Sequence, residues 1–301
     1  MKKIDFFSSS EVESALATVA GVVALESTVI AHGLPRPQNL ETAQSLEQIV
    51  RKAGSIPATI AILDGQLTVG LNREQLRFVA ETDDIRKISI RDLPLAVAQK
   101  WNGATTVAST SWIAHRAGIK VFATGGIGGV HRGALNDVSA DLPALATTPI
   151  VVVCSGAKIV LDLPATREWL ETYGITILGY QCDEMPAFYS RTSGLPVDLR
   201  VDSADEVAEI FQAQHALGIE RALLVTVPVP QEFEILPSDL DHTLHAALVE
   251  AERQQITGRE LTPFLLSSMS RRSEGATLKA NIALLENNAR VAASIARSLA
   301  N

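Results

Sequence analysis

The chain alternates short apolar runs with longer segments in which apolar residues recur every three or four positions. The apolar runs are strand candidates, and they lie at 21–25, 58–63, 87–90, 105–108, 120–124, 149–154, 175–178 and 221–225. The intervening amphipathic segments predict helices at 41–53, 93–101, 110–117, 159–172 and 206–217. Continuous apolar strands that alternate with helices are typical of an α/β fold, with a doubly wound, mostly parallel sheet and helices on both faces.

The last third of the chain is predicted to be mostly helical, at 238–255, 263–271 and 278–299. No internal repeat, low-complexity segment or long linker rich in Pro, Gly and Ser divides the sequence. Residues 1–301 are therefore predicted to form a single domain.

Composition narrows the classes of function. The net charge of −8 argues against bulk attraction to nucleic acid or to an anionic membrane, so a small anionic substrate would need a local basic site. Cys154 and Cys182 lie in apolar segments and indicate buried thiols in a reducing compartment. Asp5 interrupts the N-terminal apolar run, and no apolar run reaches the length of a membrane span. A cytoplasmic protein is expected.

Ligands of a doubly wound sheet bind beyond the carboxyl ends of its strands. Three polar or glycine-rich segments follow predicted strands, at 26–28, 125–133 and 155–158. The second is glycine-rich, and glycine tolerates positive φ and lets backbone N–H groups approach an anion, so this segment is a candidate phosphate cradle. His131 and Arg132 add positive charge there, while a flexible turn is the alternative. The segment matches neither a P-loop nor a dinucleotide-binding fingerprint.

Lys158 follows an apolar strand and a Ser-Gly-Ala turn, and it is expected to open the helix at 159–172. A lysine that is partly desolvated there can act as a nucleophile and form a Schiff base. The alternative is an ordinary salt bridge to Asp162, four residues on.

Glu26 directly follows a predicted strand, and its burial would give it the raised pKa of a general acid. The alternative is a carboxylate that accepts hydrogen bonds from nearby backbone N–H groups.

Two further sets of charged residues each have a functional and a structural interpretation. Asp137 and Asp141 are spaced to project toward one site, where they would suit Mg²⁺ or Mn²⁺, or they merely favour a helix N-terminus. Lys87 lies in a basic cluster at 85–92, which would bind phosphate or form a solvated surface.

Eight segments together resemble the pseudouridine-5′-phosphate glycosidase family, also called the indigoidine synthase A-like family, from about residue 20 to the C-terminus. They are ALESTVIAHGLPRPQNLETA from Ala24, NGATTVAST from Asn102, VFATGGIGGVHRGA from Val121, DVSADL from Asp137, VVVCSGAKIVLDL from Val151, MPAF from Met185, TPFLL from Thr262 and LKANIALLENNA from Leu278.

The resemblance implies reversible cleavage of pseudouridine 5′-phosphate to uracil and ribose 5-phosphate, by a homotrimer that uses a divalent cation, typically Mn²⁺. Motif by motif, it implies that Lys158 is the nucleophile, Glu26 the proton donor and Asp137 the metal ligand. The substrate contacts that it implies are Lys87, Val107, Ser139, Ala140 and Asp141, with Thr124, His131 and Asn281 as further pocket members.

The sequence departs from the family at three places. Val227 stands where the family usually has Asn, Glu274 stands where it usually has Gly, and the loop between Ala134 and Asp137 is shorter. The first two departures motivate a second hypothesis, in which the same lysine chemistry acts on a different base. A third hypothesis is a sugar-phosphate-binding protein without catalysis.

Overall fold

A computed structural model of the protein describes residues 6–18, 20–132, 137–256, 258 and 261–300. Its strands are β1 (Phe7–Ser8), β2 (Val22–Leu25), β3 (Ile56–Leu63), β4 (Gln66–Val69), β5 (Arg86–Ile88), β6 (Gly103–Thr105), β7 (Val121–Ala123), β8 (Val130–His131), β9 (Val151–Cys154), β10 (Leu161–Asp162), β11 (Thr176–Tyr180), β12 (Leu199–Val201) and β13 (Leu223–Thr226).

Helices connect most of these strands and make up the C-terminal part. They are α1 (Ser10–Ala17), α2 (Gln38–Lys52), α3 (Arg73–Glu81), α4 (Leu93–Ala98), α5 (Val107–Arg116), α6 (Asp141–Leu145), α7 (Leu163–Thr172), α8 (Ala204–Ala216), α9 (Pro237–Arg253), α10 (Leu261–Arg272) and α11 (Ala276–Ser298). A π-helical turn follows β2 at Val29–Gly33, and 3₁₀ turns lie at Ile90–Asp92 and Gln231–Phe233. None of the helices in the described ranges combines the length and apolar character of a membrane-spanning segment.

Eleven of the described strands form one sheet, in the order β1-β4-β3-β2-β7-β9-β13-β11-β12, with β6 paired to β3 and β5 to β6. The strands from β3 to β12 in this order run parallel, whereas β3 pairs antiparallel with β4 and β6. The chain passes from β2 to β3 on one side and later enters β7 on the other side of β2, so the winding reverses between β2 and β7. Such a switch point is where a doubly wound sheet opens a crevice for ligands.

Helices cover the sheet on both faces, as the sequence pattern predicts. The strands β2, β7 and β9 are buried at every position, with α11 packed against all three and α5 packed against β2 and β7. The buried side of α11 is rich in alanine, and a Cβ on Gly21 would lie only 2.7 Å from the carbonyl of Ala296. Small residues on both sides therefore let α11 lie close to the ends of the central strands. The predicted α/β fold with its helical C-terminal part is confirmed.

Two predicted elements are wrong at their boundaries. The predicted strand at 105–108 divides into the end of β6 and the start of α5 at Val107, because a helix buried on most sides has the same apolar sequence as a buried strand. The helix predicted at 159–172 begins only at Leu163. The Asp162 carboxylate accepts the N–H of Ala165 at 2.9 Å and so caps α7.

Several described elements had no counterpart among the predictions, and β4 and α3 are two of them. Strand β4 forms an antiparallel hairpin with β3 through a turn at Asp64 and Gly65, both at positive φ. Helix α3 begins with a capping box between Asn72 and Gln75. Both elements carry ordinary local signals, a turn glycine and an N-cap, on segments where apolar periodicity is short.

Candidate active site

A cavity of about 280 Å³ opens at the carboxyl edge of the sheet, at the switch point between β2 and β7. This size suits one small ligand. Its wall contains every site residue that the family resemblance implies: Glu26, Lys87, Val107, Thr124, His131, Asp137, Ser139, Ala140, Asp141, Lys158 and Asn281. The fold thus brings these residues together at one place, and their separate roles stay predictions.

Glu26 lies directly after β2 and is only 6% exposed. Its partner is a side chain rather than the backbone, because the Thr124 hydroxyl after β7 donates a short hydrogen bond to Glu26 Oε1. Burial raises the pKa of Glu26 above its usual value, and the positive charge of Lys158 and the hydrogen bond from Thr124 oppose part of that rise. The carboxyl group is thereby held nearer to the protonated form that a proton donor needs.

Lys158 is half-buried in a turn between β9 and β10, so the expectation that it opens a helix is wrong. Its backbone N–H donates to the carbonyl of Ile127 at 3.1 Å, and its own carbonyl accepts the N–H of Leu161 at 3.0 Å. No salt bridge joins the described residues Lys158 and Asp162, so the alternative weighed for Lys158 is wrong, and the Asp162 carboxylate instead caps α7. The Lys158 side chain lines the cavity.

The glycines after β7 serve close packing rather than positive φ. Gly126 and Gly128 are absent from the positive-φ residues of the described chain. A Cβ on Gly126 would lie 2.7 Å from the ring of Phe188, and one on Gly128 would lie 2.2 Å from the Ser139 Oγ. The N–H of Gly128 donates to the Asp141 carboxylate at 2.8 Å, so that donor holds a side chain instead of cradling a phosphate.

Asp141 and Asp137 have different surroundings. Asp141 is 6% exposed, and its carboxylate accepts the N–H groups of Gly128 at 2.8 Å and Ala108 at 2.9 Å. Asp141 therefore does serve a helix N-terminus, but that of α5 rather than of its own helix α6. Asp137 is exposed, and its carbonyl accepts the N–H of His131 at 2.9 Å.

The described residues contain no group of three His, Cys, Asp or Glu side chains that could hold a metal ion. A divalent cation in this cavity would rely on Asp137, water and oxygen atoms of a bound ligand. Mg²⁺ and Mn²⁺ fit such a set, since they keep several waters and bind through one or two carboxylates.

Arg132 supports the loop that carries Lys158 and does not line the cavity. Its guanidinium donates to the carbonyls of Leu161 at 3.0 Å and Ile159 at 3.4 Å. The short strands β8 and β10 pair antiparallel beside it, so the segments after β7 and β9 are joined just past Lys158. The positive charge expected from Arg132 thus acts on backbone carbonyls, while Lys87 of β5 lines the cavity.

Several residues of the cavity wall escaped sequence reasoning. They are Val29, His32, Gly33, Ser89, Thr106, Leu161, Phe188, Gly258, Thr262, Pro263 and Leu266. Phe188 carried a usable signal, since it ends the MPAF segment of the resemblance, and it adopts a φ of 62° that is rare for a bulky side chain. Most of the others belong to the turn after β2 and to α10, which reach the cavity only through tertiary packing.

The two substitutions that raised doubt about base specificity lie away from the cavity wall. Val227 is buried beside a separate depression that Pro228, Asn287 and Arg290 also line. Glu274 is exposed in the turn before α11. The shorter loop before Asp137 lies at 133–136, outside the described residues.

A buried glutamate and a half-buried lysine at the switch point of a doubly wound sheet define an enzyme-like site for a small ligand. The chain belongs to the indigoidine synthase A-like family, whose model matches residues 11–298. The resemblance predicted from the sequence motifs is therefore confirmed.

Curated relatives agree over nearly their whole length. A pseudouridine-5′-phosphate glycosidase of Caldanaerobacter subterraneus is 51% identical over 97% of this chain and 95% of its own. The protein of the same name from Geobacillus kaustophilus is 50% identical over 97% of both chains. That from Escherichia coli is 49% identical over 96% of this chain and 94% of its own. These names are names of enzymes, and the prediction of an enzyme is confirmed.

Solved structures share the fold. An indigoidine synthase A-like protein from Thermotoga maritima superposes with a TM-score of 0.91 at 38% identity, over 99% of this chain and 97% of its own. The prealnumycin C-glycosynthase, solved in complex with ribulose 5-phosphate, gives a TM-score of 0.90 at 38% identity, over 98% of this chain and 97% of its own.

Proposed function

We propose that the chain reversibly cleaves the C–C glycosidic bond of pseudouridine 5′-phosphate, giving uracil and ribose 5-phosphate. The observation that carries this proposal is the placement of Glu26 and Lys158 in one cavity wall, with the charge of Lys158 acting on a buried Glu26. The names of the curated relatives support the substrate. The pentose phosphate bound by the C-glycosynthase supports a site for a phosphorylated five-carbon sugar.

Carbon is a poor leaving group, so the reaction needs an electron pair that can expel it. Lys158 Nζ bonds to C1′ of the substrate, the bond from C1′ to the ring oxygen breaks, and that oxygen takes a proton. The nitrogen lone pair then forms a C=N bond to C1′ while the bond from C1′ to C5 of uracil breaks. Glu26 donates its proton to C5, and uracil leaves as a neutral molecule.

Water completes the cycle. It adds to the Schiff base on Lys158 and releases ribose 5-phosphate together with the free amine, and Glu26 regains a proton. Lys87, which lines the cavity, is proposed to bind the phosphate, which supplies binding energy remote from the reacting carbon.

A divalent cation, Mn²⁺ or Mg²⁺, is proposed to be held by Asp137, where it would neutralise negative charge on the phosphorylated substrate. Enzyme treated with a chelator should regain activity as Mn²⁺ is added. Asp137→Asn should need about 10–100-fold more Mn²⁺ for half of its maximal rate. If wild type and Asp137→Asn need the same Mn²⁺ concentration for half of their maximal rates, Asp137 does not hold the metal.

The active assembly is proposed to be a homotrimer, as the family resemblance implies. Light scattering of the purified protein should give three times the chain mass of 32.2 kDa. A monomer or dimer mass in the active enzyme would contradict this assembly.

Incubation with pseudouridine 5′-phosphate and Mn²⁺, followed by chromatography for uracil, tests the reaction. Release of uracil with equal amounts of ribose 5-phosphate is expected. No turnover, together with turnover of another base attached to ribose 5-phosphate, would replace the proposal with the second hypothesis.

Borohydride trapping tests the covalent step separately. Ribose 5-phosphate and the reductant should leave a stable adduct that peptide mass spectrometry locates on Lys158. Binding of ribose 5-phosphate without an adduct would instead support a binding protein.

A further inference from the structure

Asn288 of α11 is fully buried and lies outside the cavity wall, yet its side chain joins two of the strand ends that carry the site. Its Nδ2 donates to the Thr124 carbonyl at 2.9 Å and to the Ser155 Oγ at 3.1 Å, with the Gly125 carbonyl at 3.4 Å. The Ser155 hydroxyl lies 3.3 Å from Asn288 Oδ1 and donates to it. We call this set of contacts the Asn288 bridge.

The Asn288 bridge contacts two segments that hold the proposed reacting groups, Glu26 and Lys158. Thr124, which it holds by the backbone, donates its hydroxyl to Glu26. Ser155 begins the turn that ends at Lys158, and its N–H donates to the Gly125 carbonyl at 2.8 Å. The bridge therefore acts on the segment that holds the acid and on the segment that holds the nucleophile.

The bridge also fixes the position of α11 along its axis. Asn281, which lines the cavity, lies seven residues before Asn288 and so projects from the same side of the helix. Leu284 and Leu285 pack between them against Gly125, where an added Cβ would lie 3.2–3.3 Å from their methyl groups. A polar contact buried in an apolar interface specifies one arrangement, because any other leaves the amide unpaired.

We propose that Asn288 is a positioning residue, which fixes the distance between Glu26 and Lys158 and the placement of Asn281 in the cavity. This inference rests on the proposed function and adds a residue that touches none of the reacting atoms. Its neighbour Asn287 provides a matched control, since the Asn287 Nδ2 donates to the Pro228 carbonyl at 3.3 Å, away from the cavity.

The test compares Asn288→Ala and Asn287→Ala, each checked for an unchanged circular dichroism spectrum and a measured Tm. Asn288→Ala should lower kcat by about 10–100-fold with little change in KM, because misplacement of reacting groups by a fraction of an ångström costs rate rather than affinity. The limb of the pH profile that belongs to Glu26 should also move, since Thr124 is no longer held. Asn287→Ala should show neither change, even if its Tm falls as far.

Ser155→Ala is the second variant, in case Asn288→Ala does not fold. It removes one part of the Asn288 bridge and should show the same pattern at smaller size. An unaltered pH profile and kcat in Ser155→Ala and Asn288→Ala would overturn the proposal, as would equal losses in Asn287→Ala.

A readout without substrate separates this proposal from the proposed function. Acetic anhydride labelling of Lys158, followed by peptide mass spectrometry over a range of pH, should differ between Asn288→Ala and wild type and agree between Asn287→Ala and wild type. If wild type releases no uracil, the proposed function fails, while the labelling still decides the role of Asn288. Identical labelling of Lys158 in all three proteins would refute that role.

Discussion

Two glutamates lie beside the central strands, the buried Glu26 and the half-buried Glu47, and each accepts a hydrogen bond from a threonine hydroxyl. Glu26 pairs with Thr124, and Glu47 of α2 pairs with Thr59 of β3 at 2.7 Å. Burial raises the pKa of both carboxyl groups. A Glu–Thr pair in which the carboxyl pKa is raised is therefore not sufficient evidence of an active site in this protein.

The two Glu–Thr pairs differ in the cation that lies beside the carboxyl group. Arg51 lies 3.4 Å from the Glu47 carboxylate and 3.0 Å from Glu11, so Glu47 belongs to an ion-pair network at the protein surface. The charge that acts on Glu26 comes mainly from Lys158, an amine that can form a bond to carbon, and both line the cavity. The comparison indicates that the type of cation beside the carboxyl group, an amine at Glu26 and a guanidinium at Glu47, distinguishes the candidate site.

The largest effect is expected from exchanging the two cations for methionine. Lys158→Met should lower kcat by at least about 10³-fold, because the covalent step loses its nucleophile. Arg51→Met should keep the wild-type rate and lower the free energy of unfolding by no more than about 1 kcal/mol, because its ion pairs are exposed. Steady-state kinetics and urea unfolding check both variants. A Lys158→Met enzyme that keeps a tenth of the wild-type rate would show that Lys158 is not the nucleophile and would contradict this distinction between Lys158 and Arg51.

The second-largest effect is expected from replacing the two glutamates with glutamine. Glu26→Gln should lower kcat by about 10²–10⁴-fold, the usual contribution of a general acid. The wild-type kcat/KM should fall as the pH rises through the raised pKa of Glu26, because the reaction needs the protonated form. This limb should vanish in Glu26→Gln and persist in Glu47→Gln, as pH–rate profiles of the three proteins would record.

The two threonines give a smaller effect. Thr124→Val removes a hydrogen bond that lowers the pKa of Glu26, so the limb of kcat/KM should move to higher pH while kcat falls by about tenfold. Thr59→Val should leave the pH profile in place. The same profile in both valine variants would show that the Thr124 hydroxyl has no part in holding the acid.

The smallest effect concerns stability. Because burial raises the folded-state pKa of Glu47, folding favours its protonated form. The stability that wild type holds relative to Glu47→Gln should be greatest below the unfolded pKa of about 4.3 and should decrease as the pH rises through the folded pKa. Urea unfolding at several pH values measures this difference. A difference that grows with pH would mean that Arg51 and Thr59 outweigh burial.

Much of this molecule could be predicted from its residues. The apolar runs indicated the parallel strands, since a strand buried on both faces has no polar side to interrupt it. Because Glu26 and Lys158 each lie just past such a run, the sequence predicted both at the carboxyl edge of the sheet. The family motifs then indicated the proposed reaction. The residues alone left two interpretations of Lys158, a nucleophile and a salt-bridge partner of Asp162.

The tertiary structure decided matters that depend on which distant segments meet. Only the packed chain showed that the Asp141 carboxylate caps α5, 33 residues away, rather than its own helix. It also placed Val227 and Glu274 away from the cavity and buried Asn288 against the strand ends. Sequence patterns report local periodicity and turn chemistry, whereas a hydrogen-bond partner more than a hundred residues away is chosen by the packing of the whole fold.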